Sequence, residues 1–245
     1  MEAVILGTGS GLPQVDKNLS ALLVENEGSL VLADCGDGTT KLLQQRGVGA
    51  EDLDAVFITH YHPDHVSGLF MLIQWLYLEG RTKPLPLFLP ERPAAFVEML
   101  QLMYTFQQKF PYKLQVLEMA QTELYYDWIS AVPTDHLHGY APVIKEHSLS
   151  NQMQSWSIKF SSANGDLVYS SDLGTTDCIA GFIKGAHTVI VDAGHPVAEQ
   201  VLKLKYLEIG RVILTHGISP SLALQKHLLE EAPFEIAQES ISYYV

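Results

Sequence analysis

An α/β fold, with mixed β-sheets and helices layered outside them, is predicted by three observations. Short apolar strand-like runs give way to longer helical patterns, and this order occurs twice along the chain. Of the 245 residues, 47% are hydrophobic and only 18% charged, enough to bury a large core. No apolar run reaches the roughly 18 residues needed to span a bilayer, so no membrane partner is expected.

The elements follow in order. Residues 3–6 read as a strand that runs into the glycine loop Gly7-Thr8-Gly9-Ser10-Gly11-Leu12-Pro13. Residues 20–24 and 29–33 are paired strands around a turn at 26–28. A helix at 40–46 stops at Gly47, 54–58 is a strand, and 66–78 is an apolar helix ending at Glu79-Gly80. A proline-bounded strand at 85–89 and an amphipathic helix at 93–106 complete the first half. In the second half, strands fit 128–132, 155–160, 167–170, 188–191 and 212–214, and helices fit 196–206 and 221–229. The tract 81–150 is the least regular, and a lid or insertion is expected there within a single domain of 1–245.

Lys and Arg number 15 against 28 Asp and Glu, a net charge of −13, which counts against non-specific coating of nucleic acid. Two cysteines, Cys35 and Cys178, make no disulfide framework and are read as structural. The opening MEAVILGTGSG has no basic region before its apolar run and is not read as a signal peptide, so a cytoplasmic location is expected.

The ten histidines are the first hint of metal. Thr59-His60-Tyr61-His62-Pro63-Asp64-His65 follows the strand at 54–58 directly. Imidazole and carboxylate donors suit Zn²⁺, Mn²⁺ or iron, and no thiol stands near to suggest a zinc finger. His60 and His62 alternate along an extended stretch and point one way, whereas Asp64 and His65 enter a helix and turn toward a second ion. Three later segments place a polar residue just past an apolar strand: His136 in VPTDHLHG, Asp172 in VYSSDLG and His216 in VILTHGIS.

HYHPDH, SSDLG and LTHG resemble motifs of the metallo-β-lactamase-fold hydrolases, and the nearer resemblance is to tRNase Z. The opening loop 7–13 with Lys17-Asn18-Leu19-Ser20, the segment Asp34-Cys35-Gly36-Asp37-Gly38-Thr39, and Thr59 through His65 with Gly68-Leu69 match that family in order. The resemblance implies a four-layer αββα sandwich of two mixed β-sheets. It also implies two Zn²⁺ ions, with Mn²⁺ or iron as alternatives. His60, His62 and His136 would hold one ion, Asp64, His65 and His216 the other, and Asp172 would bridge them. Such a pair, about 3.5–4 Å apart, shares a bridging hydroxide that attacks phosphorus. Asp64 is the catalytic candidate, a ligand that also handles protons. With two aspartates against two dications, the site keeps positive charge for an anionic substrate despite the net charge of the chain.

The third-motif ligand is His136 or His138; the strand before Pro133 favours His136. His138 and Tyr140 are then candidates to face substrate. Asp34 and Asp37 are expected to orient metal-bound histidines. Where the family carries a HEAT motif, this chain has Val191 and Asp192, and His195 is the candidate to take over its role in proton transfer or substrate binding. The family's long tRNA-clamping arm is missing, since only 35 residues separate His136 from Asp172. A small or cyclic phosphodiester is therefore the expected substrate. Alternatives are a tRNA 3′-processing endoribonuclease acting on tRNA, and hydrolysis of a thioester, lactone or sulfate ester on the same metal site. The resemblance leaves a homodimer open.

Overall fold

The computed structural model describes residues 1–229 and 232–245, and the chain falls into two compact units, 1–121 with 239–244 and 122–238 with 245. The first unit contains β1 (Glu2–Gly7), β2 (Ala21–Asn26), β3 (Ser29–Ala33), α1 (Thr39–Gln45), β4 (Leu53–Phe57), α2 (Pro63–Val66), α3 (Leu69–Leu78), β5 (Leu85–Leu89), α4 (Pro93–Leu102) and β6 (Leu114–Glu118). The second contains β7 (Ile129–Pro133), α5 (Ala141–Glu146), β8 (Trp156–Ser162), β9 (Gly165–Tyr169), α6 (Ala180–Ile183), β10 (Thr188–Asp192), α7 (Ala198–Lys203), β11 (Arg211–Thr215), α8 (Pro220–Ala223) and β12 (Phe234–Ile236). The last strand, β13 (Ser242–Tyr244), returns to the first unit and pairs antiparallel with β1.

Among the described residues, the first sheet has the order β13-β1-β2-β3-β4-β5-β6 and the second β12-β11-β10-β9-β8-β7. Both are mixed. In the first sheet β13 through β3 pair antiparallel and β3 through β6 parallel. In the second, β7, β8 and β9 pair antiparallel and β9 through β12 parallel. The inner parallel strands β4, β5, β10 and β11 are apolar through their middles and almost wholly buried. Leu32, Val56, Leu87, Leu72 and Leu76 lie in the first unit's core, and Val189, Val191, Val212, Val201 and Leu222 in the second's.

The helix expected at 66–78 is two helices. Gly68 interrupts it: its N–H donates to Cys35 O at 2.9 Å, and a Cβ there would come within 2.1 Å of Gly36 O. The expected helix at 93–106 stops at Leu102, where Tyr104 takes a left-handed backbone (φ 58°) and Thr105 N closes the end on Leu100 O. The helix expected at 196–206 finishes in a 3₁₀ turn from Leu204, and that at 221–229 is α8 followed by a 3₁₀ turn at Lys226–Leu229. The tract 81–150 contributes sheet strands, β5 and β6 to the first unit and β7 to the second. Among the described residues, no helix is long and apolar enough to cross a membrane.

Candidate metal centre

In the first unit the donors are carried by the parallel strands. Beyond β4, Ile58 N still donates to Phe88 O at 2.9 Å, so the chain stays extended as it reaches Thr59 and His60. Pro63 then starts α2, because its fixed φ suits the first helical turn and its missing N–H costs nothing there. The turn carries Asp64 and His65. Tyr61 fixes the segment from the side, its hydroxyl donating to Glu91 O at 2.8 Å. The His60 ring lies 4.7 Å from that of His62 and 4.2 Å from that of His65, and His65 Nε2 is 3.5 Å from Asp64 Oδ2.

Asp34, buried at the end of β3 with a left-handed backbone (φ 61°), holds this group in place. Its Oδ1 accepts the N–H of Thr59 at 2.8 Å and its Oδ2 meets His65 Nδ1 at 2.7 Å. A carboxylate on Nδ1 fixes the tautomer and leaves Nε2 as the donor for a metal. Thr59 Oγ1 sits 3.2 Å from His60 Nδ1 and orients that ring in the same way. Asp37 lies exposed in the turn ahead of α1, and Asp34 is the carboxylate that meets His65. Cys35 is fully buried, and burial pushes its thiol up, so it is a packing residue and no thiolate donor.

In the second unit the donors again follow strand ends. Ser171 (φ 51°) and His216 (φ 62°) both take left-handed backbone just beyond β9 and β11, a conformation that turns the chain sharply where the sheet stops. Asp172 is the hub. Its Oδ2 is 3.5 Å from His136 Nε2 and 3.3 Å from His216 Nε2, so two imidazoles face one carboxylate oxygen. His138, by contrast, is exposed, as is Tyr140 on the same 3₁₀ turn.

His195 joins this cluster. Its ring stands 4.8 Å from His136 and 5.1 Å from His216, and Nδ1 meets Asp192 Oδ2 at 2.9 Å. Its side chain is 42% exposed. Asp192 is the residue that sequence reasoning passed over as a missing motif position. Fully buried at the end of β10, it accepts the N–H groups of Leu173, Gly194 and His195 and thereby ties the Asp172 loop to His195. A carboxylate closing an all-apolar strand was the signal for it. Asp172, Asp192 and His195 offer donor atoms within 4.8 Å of one another. Asp135, next to His136, binds the same loop from the other side through Gly174 N, Thr175 N and Thr175 Oγ1. Burial opposes its charge, but these donors with the Cys178 thiol outweigh it and hold its carboxyl below the usual range.

These residues fit a metal. The donors are imidazole and carboxylate, the set that suits Zn²⁺, Mn²⁺ and iron, and His60, His65 and His195 are oriented by a hydroxyl or carboxylate behind them. Two mixed sheets with such donors just past their strand ends define a metallo-β-lactamase-fold protein. The structure is similar to the metallo-beta-lactamase fold protein YhfI from Bacillus subtilis, with a TM-score of 0.75 and 20% identity over 99% of this chain and 98% of that one. It is also similar to human tRNase Z, short form, with a TM-score of 0.74 and 19% identity over 100% and 99%. In sequence it is 36% identical over 119 residues to a Ribonuclease Z of Clostridium acetobutylicum, a match spanning 49% of this chain and 38% of the relative. A Ribonuclease Z of Methanosarcina mazei is 36% identical over 103 residues, 42% of this chain and 34% of that one. The chain thus matches well under two thirds of these relatives' length. It belongs to the family described as Anti-Pycsar protein Apyc1, whose model matches residues 1–201.

Proposed function

We propose that this protein is a dinuclear metal-dependent hydrolase that cleaves a small or cyclic phosphodiester. His60, His62 and His136 would hold one ion, Asp64, His65 and His216 the other, and Asp172 would serve both. The observation that carries this reading is the approach of two imidazole nitrogens to one oxygen of Asp172, as a shared carboxylate requires. When bound, two divalent cations supply Lewis-acid charge to a phosphoryl group and lower the pKa of an attacking water. The protein's own groups do the rest. Asp64 ligates and takes up the proton of the nucleophile, Asp34 holds His65 in the donor tautomer, and Asp192 aims His195 so that Nε2 contacts the substrate or passes a proton to the leaving group. His138 and Tyr140, exposed on the turn after His136, are candidates for substrate contact.

The small substrate is favoured by the stretch between His136 and Asp172. Its described elements are a 3₁₀ turn, α5 and the β8–β9 hairpin, with no length left for a tRNA-clamping arm. The Ribonuclease Z relatives favour a second reading, tRNA 3′-end processing. Cyclic mononucleotides, short linear phosphodiesters and a precursor tRNA, each offered to zinc- and manganese-loaded protein, separate the two. Chelator-sensitive turnover of the small diesters with the precursor tRNA left intact is expected. Preferential cleavage of the precursor would overturn the small-substrate reading.

A further inference from the structure

The carboxylate of Glu239 closes a loop that lies far from it in sequence. Its Oε1 accepts Thr8 N, Thr8 Oγ1 and Asn18 N, each at 3.0 Å, and its Oε2 accepts Asn18 Nδ2 at 2.5 Å. Glu239 therefore grips both ends of the loop 8–18 in one half-buried carboxylate. The base is closed again by Gly9 N donating to Asn18 O at 2.8 Å. Glu239 is itself fixed, since Ser240 N donates to Ile5 O and β13 pairs with β1 just beyond.

The tip of the loop has no such support. Residues 11–17 are exposed, with Leu12 and Val15 presenting apolar side chains to solvent. The loop also runs past the proposed catalytic carboxylate: a Cβ on Gly11 would lie 3.6 Å from Asp64 Oδ2. A segment pinned at its base and bare at its tip beside Asp64 has the form of a wall against which a ligand is held.

We propose that Glu239 is a positioning residue that fixes the loop 8–18 as the substrate-binding wall beside Asp64. This rests on the phosphodiesterase reading above. Glu239 lies beyond the residues 1–201 matched by the family model. The loop acts on binding, and the loss of its anchor raises KM more than it lowers kcat.

The pair Glu239 and Asn18 allows a reciprocal exchange. Glu239→Leu removes every acceptor that Thr8 and Asn18 use, and Asn18→Asp sets two carboxylates together. The double variant Glu239→Gln with Asn18→Asp restores a donor to face an acceptor. Each single variant should speed hydrogen exchange at positions 8, 9 and 18, whose amides the base of the loop protects, and raise KM for bis(p-nitrophenyl) phosphate about tenfold, the effect of a binding-competent loop populated about a tenth of the time. Metal content and kcat should hold, and the double variant should recover both exchange and KM. Single variants with unchanged exchange, or with faster exchange and unchanged KM, would overturn the proposal alone. Absence of turnover by the wild-type chain would overturn the functional reading, and the substrate wall with it.

Discussion

Asp34→Asn removes one charge and one acceptor from behind His65 while keeping the side chain's shape. The Asp34 Oδ2 to His65 Nδ1 distance is 2.7 Å, and both side chains are fully buried. Asp34 also accepts from Thr59 N and Thr59 Oγ1. An amide cannot serve all of these donors, because in either orientation its NH₂ meets another N–H or O–H. A hydrogen bond to a charged group is worth about 1.5–3 kcal/mol, and about 1.4 kcal/mol is tenfold in affinity. The variant should therefore bind the ion served by His65 between about 10- and 100-fold more weakly, in line with the cost of losing a carboxylate behind a ligating histidine. The ion served by His60 and His62 should be weakened less, because Asp34 reaches His60 only through Thr59. Competition with a chromophoric zinc chelator reads the two constants separately. A folded variant with both constants unchanged would refute the claim that Asp34 prepares His65 as a ligand.

Further outcomes follow from the same geometry. Asp64→Ala should lose more than about 100-fold in turnover of a phosphodiester, as for loss of a group that both ligates and moves protons, whereas Cys35→Ala and Cys178→Ala should keep their metal by elemental analysis. Arg81 is fully buried and its guanidinium donates to the carbonyls of Ala50, Leu53, Lys83 and Pro84. Arg81→Met should cost at least about 3 kcal/mol in chemical denaturation, because buried acceptors lose their donors. Glu51 is held below its usual range by the backbone N–H groups of Thr82 and Lys83. Its contribution to stability is present above about pH 4.5 and is lost as pH falls through the lowered value, so wild type and Glu51→Gln should converge in acid.

How far the sequence could be read depends on what each element owes to its own residues. The strands β3 and β5 lie at the predicted positions because turns or prolines bound them locally. The strand β6 is mostly half-buried and mixes Gln115 and Glu118 with its apolar residues, so its pattern is weak. The three-residue strands β12 and β13 owe their form to pairing with β11 and β1, so nothing in their own residues announced them. Gly68 split a continuous apolar pattern through a backbone contact 33 residues away in sequence, which periodicity does not register. In the candidate site, His60, His62, Asp64 and His65 were legible because four donors crowd one segment, and Asp172, His216 and His136 because each follows a strand. That His136 approaches Asp172 while His138 lies exposed needed coordinates. So did the role of Asp192, whose partners come from 173, 194 and 195, and that of Glu239, whose partners lie more than 200 residues away.

The most direct test of the account is turnover of bis(p-nitrophenyl) phosphate by zinc- and manganese-loaded protein beside a chelated control. The proposed metal-dependent phosphodiesterase predicts cleavage that the chelator abolishes and added metal restores. Protein that holds two ions per chain yet leaves this diester intact would contradict the phosphodiesterase assignment.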